Sequence, residues 1–223
     1  MKRKIAFVHT SPAAIAPLMQ FYGGAAPDFE ITNLLDDGLL RLLAAKQSTQ
    51  AQQRLGEMIA AARGAYGAEL AMVTCSSVSR EMVERLSHMV DIPLLKIDYP
   101  MARKAVATGS RIGVAVTFPP TLETTSAMLK DAAAEAGRAI EIVPEIVQAA
   151  YDALLSGDVE THDELLMAGV RRLDEQHVDV IVLAQVSMAR LLPRLDGRVR
   201  VPVLSSLNTS LTAIREALEA ANG

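Results

Sequence analysis

Four short polar stretches, each directly after an apolar run, hold the residues whose types are suited to chemistry. Leu70-Ala71-Met72-Val73 leads into Thr74-Cys75-Ser76-Ser77-Val78-Ser79, which carries the chain's single cysteine. Ile5 to Val8 leads into His9-Thr10-Ser11-Pro12, and Ile112 to Val116 into Thr117-Phe118-Pro119-Pro120-Thr121. Asp179 to Leu183 leads into Ala184-Gln185-Val186-Ser187. A thiol is an effective proton-transfer group or nucleophile once its free pKa of about 8.5 is lowered, as happens at a helix start. Helical spacing resumes at Met82, Val83, Leu86 and Met89, which predicts Cys75 at a strand-to-helix turn. There, unpaired amides favour a thiolate or a bound carboxylate, and Cys75 is expected to be partly ionised. A lone cysteine is also often a small buried hydrophobe, and the strand alone leaves both readings open. His9 offers a second acid or base, with an unperturbed pKa of about 6.5, or serves only as a turn cap. Gln185 cannot take or give a proton; its amide can donate to a carboxylate or an enediolate oxygen, or cap the helix beyond it.

The elements that must position these residues alternate along the chain. Strands are predicted at 5–8, 29–33, 70–73 and 92–97, with helices at 13–22, 39–45, 50–66, 80–90 and 101–108. The order then restarts, with strands at 112–116, 141–143, 179–183 and 201–204, and helices at 122–137, 163–176 and the C-terminus. Intervals support an internal repeat. Thr10 and Cys75 are 65 residues apart and Thr117 and Gln185 68, while Pro93 follows Cys75 by 18 and Pro202 follows Gln185 by 17. Cys75 and Gln185 therefore occupy equivalent places. Alternating strands and helices predict an α/β fold of two pseudo-symmetric doubly wound lobes with parallel sheets, ligands lying at the carboxyl ends of the strands. The expected lobes are 1–108, joined by the C-terminal helix 208–223, and 109–207.

Composition excludes several classes. Of 223 residues, 50% are hydrophobic, 4% aromatic and none tryptophan, and the formal net charge is -4. Without a basic stripe or stacking aromatics, nucleic acid is not an expected partner. One cysteine allows no internal disulfide, no apolar stretch approaches the roughly 20 residues of a membrane span, and Met1-Lys2-Arg3-Lys4 runs straight into a strand. The expectation is a cytoplasmic protein with no membrane partner. His9, His88, His162 and His177 are scattered without metal-ligand spacing, so no metal is expected, and the last three are read onto or beside polar helix faces. No Gly-x-Gly-x-x-Gly or Gly-x-x-x-x-Gly-Lys follows a strand, which removes the main support for nicotinamide or triphosphate binding.

Taken in order, the Val73-Thr74-Cys75-Ser76-Ser77 strand end, the Thr117/Thr121 loop and the matching strand ending at Gln185 resemble the aspartate/glutamate racemase superfamily. That group includes glutamate, aspartate and hydantoin racemases, maleate isomerase and arylmalonate decarboxylase. The resemblance implies a cofactor-free enzyme working in a cleft between two lobes, with a small carboxylate substrate and a homodimer or higher homo-oligomer as partner. It implies that Cys75 is the first of the superfamily's two catalytic cysteines. Thr10 and Ser11 then lie in the first substrate loop, and Ser76, Ser77, Thr117 and Thr121 line a carboxylate pocket, with Val186 and Ser187 beside them. The chain departs from the pattern where the second cysteine belongs, with Gln185-Val186-Ser187, and at His9, where glutamate racemases carry an aspartate. Two-base racemisation needs titratable groups for both faces of the α-carbon, and Gln185 is not one. Three readings remain open: an isomerase or racemase using Cys75 with His9 or water, a one-cysteine decarboxylase or lyase, and a non-catalytic carboxylate-binding protein.

Overall fold

The computed structural model describes residues 2–221. These fall into two compact units, residues 2–97 with 207–221 and residues 98–206.

In the first unit, β1 (Arg3–His9), β2 (Phe29–Leu35), β3 (Leu70–Val73) and β4 (Leu94–Lys96) form a parallel sheet in the order β2-β1-β3-β4. Residues alternate across a strand, so β1 feeds two cores. Ala6 and Val8 join Ala71 and Val73 under Leu39 of α2 (Gly38–Ala44), Leu55 and Ile59 of α3 (Ser48–Gly64), and Met82 and Leu86 of α4 (Arg80–Ser87). Phe7 faces the opposite way, its ring 5.0 Å edge-to-face from Tyr22 of α1 (Ile15–Ala25). The Tyr22 hydroxyl donates to Ser210 Oγ at 2.8 Å, and Ser210 donates in turn to the Leu207 carbonyl. That bond ties α10 (Ser206–Ala220) to α1, beside Arg215 with its guanidinium 5.4 Å over Phe29.

The second unit repeats the plan. β5 (Arg111–Val116), β6 (Glu141–Ile146), β7 (Val180–Leu183) and β8 (Val203–Leu204) form a parallel sheet in the order β6-β5-β7-β8. Ile112, Val114 and Val116 pack with Val180 and Val182 under α5 (Tyr99–Thr108) and α6 (Pro119–Glu135). Ala115, Ile181 and Leu183 pack under α7 (Gln148–Leu155) and α8 (Val159–Glu175).

Three details differ from the sequence reading. Helix α5 belongs to the second unit rather than to a lobe ending at 108, because Met101, Ala102, Ala105 and Val106 complete the core under α6. Helix α7 has no counterpart in the predicted elements; only Ala150 of its eight residues is buried, too little for a helical periodicity to show. Helix α8 starts at Val159, earlier than residue 163, because Asp158 caps it by accepting the Thr161 N–H at 3.0 Å.

Candidate functional site

In a parallel sheet the carboxyl ends of all strands share one edge, so each unit gathers two of the polar loops at one edge of its own sheet. The two edges are built to the same register. In the first unit Ile5 pairs with Leu70 and the Thr74 N–H donates to the Val8 carbonyl at 3.0 Å. In the second, Ile112 pairs with Val180 and the Ala184 N–H donates to the Ala115 carbonyl at 3.1 Å. One residue further on, Cys75 and Gln185 stand at matching positions.

The first-unit edge is held by a hydrogen-bonded chain beneath the thiol. His9, at the end of β1, is 0% exposed, with Nδ1 at 2.7 Å from Thr74 Oγ1 and Nε2 at 2.9 Å from Asn33 Oδ1. Asn33 Nδ2 donates to Met19 Sδ at 3.3 Å, and the Val8 carbonyl is already satisfied by a backbone N–H. With the ring neutral, the Nε2–H donates to Asn33 Oδ1 and Nδ1 accepts from the Thr74 hydroxyl, whose oxygen also lies 3.2 Å from the Val8 carbonyl. Burial lowers the His9 pKa below 6.5, opposed by the Asn33 bond. Both ring nitrogens are engaged, so His9 presents no free nitrogen as an acid or base. It braces Thr74, the residue before Cys75.

Cys75 is a free thiol, 9% exposed, at the rim of the core formed by α2, α3 and α4. The helix start is displaced from it. Ser79, four residues on, is the N-cap of α4 and accepts the Met82 N–H at 3.2 Å, while the Val78 N–H closes a turn onto the Cys75 carbonyl at 3.3 Å. Cys75 thus lies on the strand-to-helix connection, as expected, but four residues before the helix cap rather than beside the helix start. Thr10 and Ser77 are buried, and Ser76 is half-buried. Half-buried Ser11 caps the 3₁₀ turn Pro12–Ala14 by accepting the Ala13 N–H at 3.3 Å.

At the second-unit edge the Gln185 side chain does not cap the 3₁₀ helix Val186–Leu191 next to it. Its Oε1 accepts both the backbone N–H of Thr117 at 2.8 Å and the Thr117 hydroxyl at 3.0 Å. Two donors on one atom fix the amide's orientation, because a flipped amide would set Nε2–H against the Thr117 N–H. The clamp occupies Oε1 and leaves the Nε2 donors of this half-buried side chain on the side of the amide away from Thr117. Thr117 and Thr121 are 1% exposed, and Val186 and Ser187 are buried. Pro119 and Pro120 open α6. Proline has no N–H, so that helix start lacks two of the amides that would otherwise bind an anion.

Sequence reasoning missed a charged cluster in the second unit. His162, read onto a polar face, is 0% exposed on α8. Arg190 forks, donating from Nε to Asp163 Oδ1 and from its second nitrogen to His162 Nδ1, both at 2.8 Å, and Arg194 donates to Asp163 Oδ2 at 3.1 Å. His162 Nδ1 also lies 2.9 Å from Asp163 Oδ1, and Nε2 is buried without a hydrogen-bond partner among the described residues. Burial lowers the His162 pKa against the opposing Asp163 hydrogen bond. Burial acts to raise Asp163, but bonds and charge from Arg190 and His162 outweigh it and hold the carboxyl below its usual range. The available signal was the pair Arg190 and Arg194, one helical turn apart, within an otherwise apolar run. Among the described residues no group of three or more His, Cys, Asp or Glu is placed to hold a metal, and no helix is long and apolar enough to cross a membrane.

Known proteins share this architecture. A family model described as Asp/Glu/Hydantoin racemase matches residues 23–214. Sequence comparison with curated proteins gives no match. Among solved structures, glutamate racemase from Bacillus anthracis superposes with a TM-score of 0.74 at 15% identity, over 98% of this chain and 82% of that one. Aspartate racemase from Picrophilus torridus gives 0.71 at 13% identity, over 96% and 94%. Allantoin racemase from Klebsiella pneumoniae gives 0.69 at 18% identity, over 98% and 89%.

Proposed function

Because the chain belongs to the Asp/Glu/hydantoin racemase family, we propose that it is a cofactor-independent isomerase that moves a proton at the carbon next to a carboxyl group, with the Cys75 thiol as the transferring group. The observation that carries this reading is the placement of Cys75 at the carboxyl end of β3, on a loop braced by the Thr74–His9–Asn33 chain. A positioned acid or base contributes roughly 10²- to 10⁴-fold, provided its geometry is fixed before the substrate arrives.

Gln185 is proposed as a hydrogen-bond donor rather than a base. In its matching register position, an amide cannot return a proton, but its clamped Nε2 donors suit an oxygen that gains negative charge, such as that of an enediolate. One specific feature, the Thr117 clamp, therefore also favours a second reading, a one-cysteine decarboxylase or lyase whose enediolate is protonated by Cys75 from one side. Thr10, Ser11, Ser76 and Ser77 in one unit, and Thr117, Thr121, Val186 and Ser187 in the other, are proposed to shape the substrate loops. His9 acts on Thr74 rather than on substrate.

The test is proton NMR in deuterium oxide against α-amino, α-hydroxy and malonic acids and hydantoins. Isomerase chemistry gives exchange of the α-hydrogen faster than inversion; the decarboxylase reading gives loss of carbon dioxide from a malonate. If no acid in the panel exchanges or decarboxylates, while a carboxylate binds, the catalytic proposal is wrong and a binding role stands.

A further inference from the structure

The Asp163 cluster has no part in the chemistry above, and its position gives it one. Asp163 lies in the second turn of α8, and its side chain is 10% exposed. Both arginines that hold it come from the chain segment just after Gln185. Arg190 lies on the 3₁₀ helix Val186–Leu191, whose N-cap is Gln185, and Arg194 lies on α9 (Leu192–Leu195). The backbone of that segment is a weak support by itself, since 3₁₀ bonds are poorly aligned and short-ranged; the Met188 N–H to the Gln185 carbonyl, at 3.0 Å, is one of them. Met188, Leu191 and Leu195 anchor it in the core. Apolar packing is not directional and leaves rotation about the segment's own axis softly restrained. Charge-assisted bonds to both carboxylate oxygens, with the fork to His162 Nδ1 as a third point, remove that freedom.

We propose that Asp163 is a positioning residue for Gln185: through Arg190 and Arg194 it fixes the rotation of the 186–195 segment, and so keeps the Gln185 amide seated on Thr117 with its Nε2 donors on the side away from Thr117. The functional meaning of this inference rests on the reading of Gln185 as a ligand donor. Its test does not, because it reads the side chain directly.

The experiment monitors the Gln185 side-chain amide in ¹⁵N-labelled full-length protein without ligand, its signals identified by their loss in Gln185→Ala. In the wild type these signals are displaced from free glutamine positions and as rigid as the backbone. Asp163→Asn, which keeps the shape but loses the charge, moves them to free positions and makes them mobile. Arg190→Lys, which keeps the charge but cannot fork, does the same and remains informative if Asp163→Asn fails to fold. The control is Asp179→Asn, at the amino end of β7, where Asp179 Oδ2 accepts the Ser110 and Arg111 N–H groups, each at 2.8 Å. It removes a comparable carboxylate from the same unit and leaves the Gln185 signals in place. Unmoved Gln185 signals in Asp163→Asn or Arg190→Lys overturn the proposal, as does an equal movement in Asp179→Asn, which would mean general loosening. If the signals behave as expected but Gln185→Ala leaves ligand affinity and rate intact, positioning holds and the donor reading of Gln185 falls.

Discussion

At the residue scale, Cys75 and Gln185 have the same backbone position but opposite chemical capacity, and substitution separates them. Cys75→Ser keeps nearly the same volume at a 9% exposed site while removing the thiol proposed to transfer the proton. Proton exchange should fall by roughly 10²- to 10⁴-fold, the usual worth of a general acid or base, with the unfolding midpoint unchanged. Iodoacetamide should inactivate the wild type and be slowed by a bound carboxylate; a native thiol that resists alkylation even over hours would count against Cys75 as the catalytic group. Gln185→Ala removes a donor rather than a base. It should cost from several-fold up to the roughly 10²- to 10³-fold attributed to one oxyanion donor, leaving measurable turnover. Gln185→Glu tests the clamp: its carboxylate still accepts both Thr117 bonds, yet has no N–H, so it should be at least as damaging as alanine for carboxylate binding. Equal affinity in Gln185→Glu and wild type would remove Nε2 from the binding account.

At the element scale, strand ends are fixed by side chains that reach between neighbouring connections. Gly109 ends α5 immediately before β5, and a Cβ built there would stand 2.2 Å from Asp179 Cβ. Asp179 cannot move aside without breaking its bonds to the Ser110 and Arg111 N–H groups. Gly109→Ala should therefore lower stability by about 1–3 kcal/mol, the usual range for overpacking, read from the urea midpoint. Its backbone φ of -163° is ordinary extended geometry, so the penalty is one of contact rather than of conformation. A variant as stable as the wild type would show that this connection is free to shift. The opening of α6 makes a different point: Pro119 and Pro120 fit the first turn of a helix but withdraw two amides from it. With both Thr117 donors spent on Gln185 Oε1, the Gln185 Nε2 donors stand in for the two amides that the helix start lacks.

At the scale of the whole molecule, two histidines buried as neutral rings in separate units set the acid limit. Burial depresses the pKa of both His9 and His162 below 6.5. A depressed histidine pKa means that the unfolded chain takes up the proton first as pH falls. Stability should be level from pH 8 to 7 and decline below about pH 6.5, each ring contributing a slope of at most about 1.4 kcal/mol per pH unit. The depressed Asp163 adds loss in the same direction only at lower pH, as the medium approaches the ordinary carboxylate range. Urea titrations at pH 8, 7, 6 and 5 check this, and a midpoint that rises between pH 7 and 5.5 would contradict neutral burial of these rings.

By itself the sequence determined the two α/β halves, the strand ends and the equivalence of Cys75 with Gln185. These come from apolar runs of strand length, two-residue alternation and repeated spacing, all properties of a short stretch of chain. It also placed Thr10, Ser11 and Thr117 on strand-end loops, because parallel topology sends such loops to one edge; Thr121, read into the same loop, lies in the first turn of α6. Only the tertiary structure decided what those side chains do. His9 meets Thr74 across 65 residues, and Thr117 meets Gln185 across 68; such pairings depend on the register of strands that touch only after folding. For the same reason His162, polar by type and placed among polar neighbours in sequence, is found fully buried against Asp163 and Arg190. Residue type sets what a side chain is able to donate, accept or titrate, and long-range register sets which partner it meets and so which capacity it has left to use.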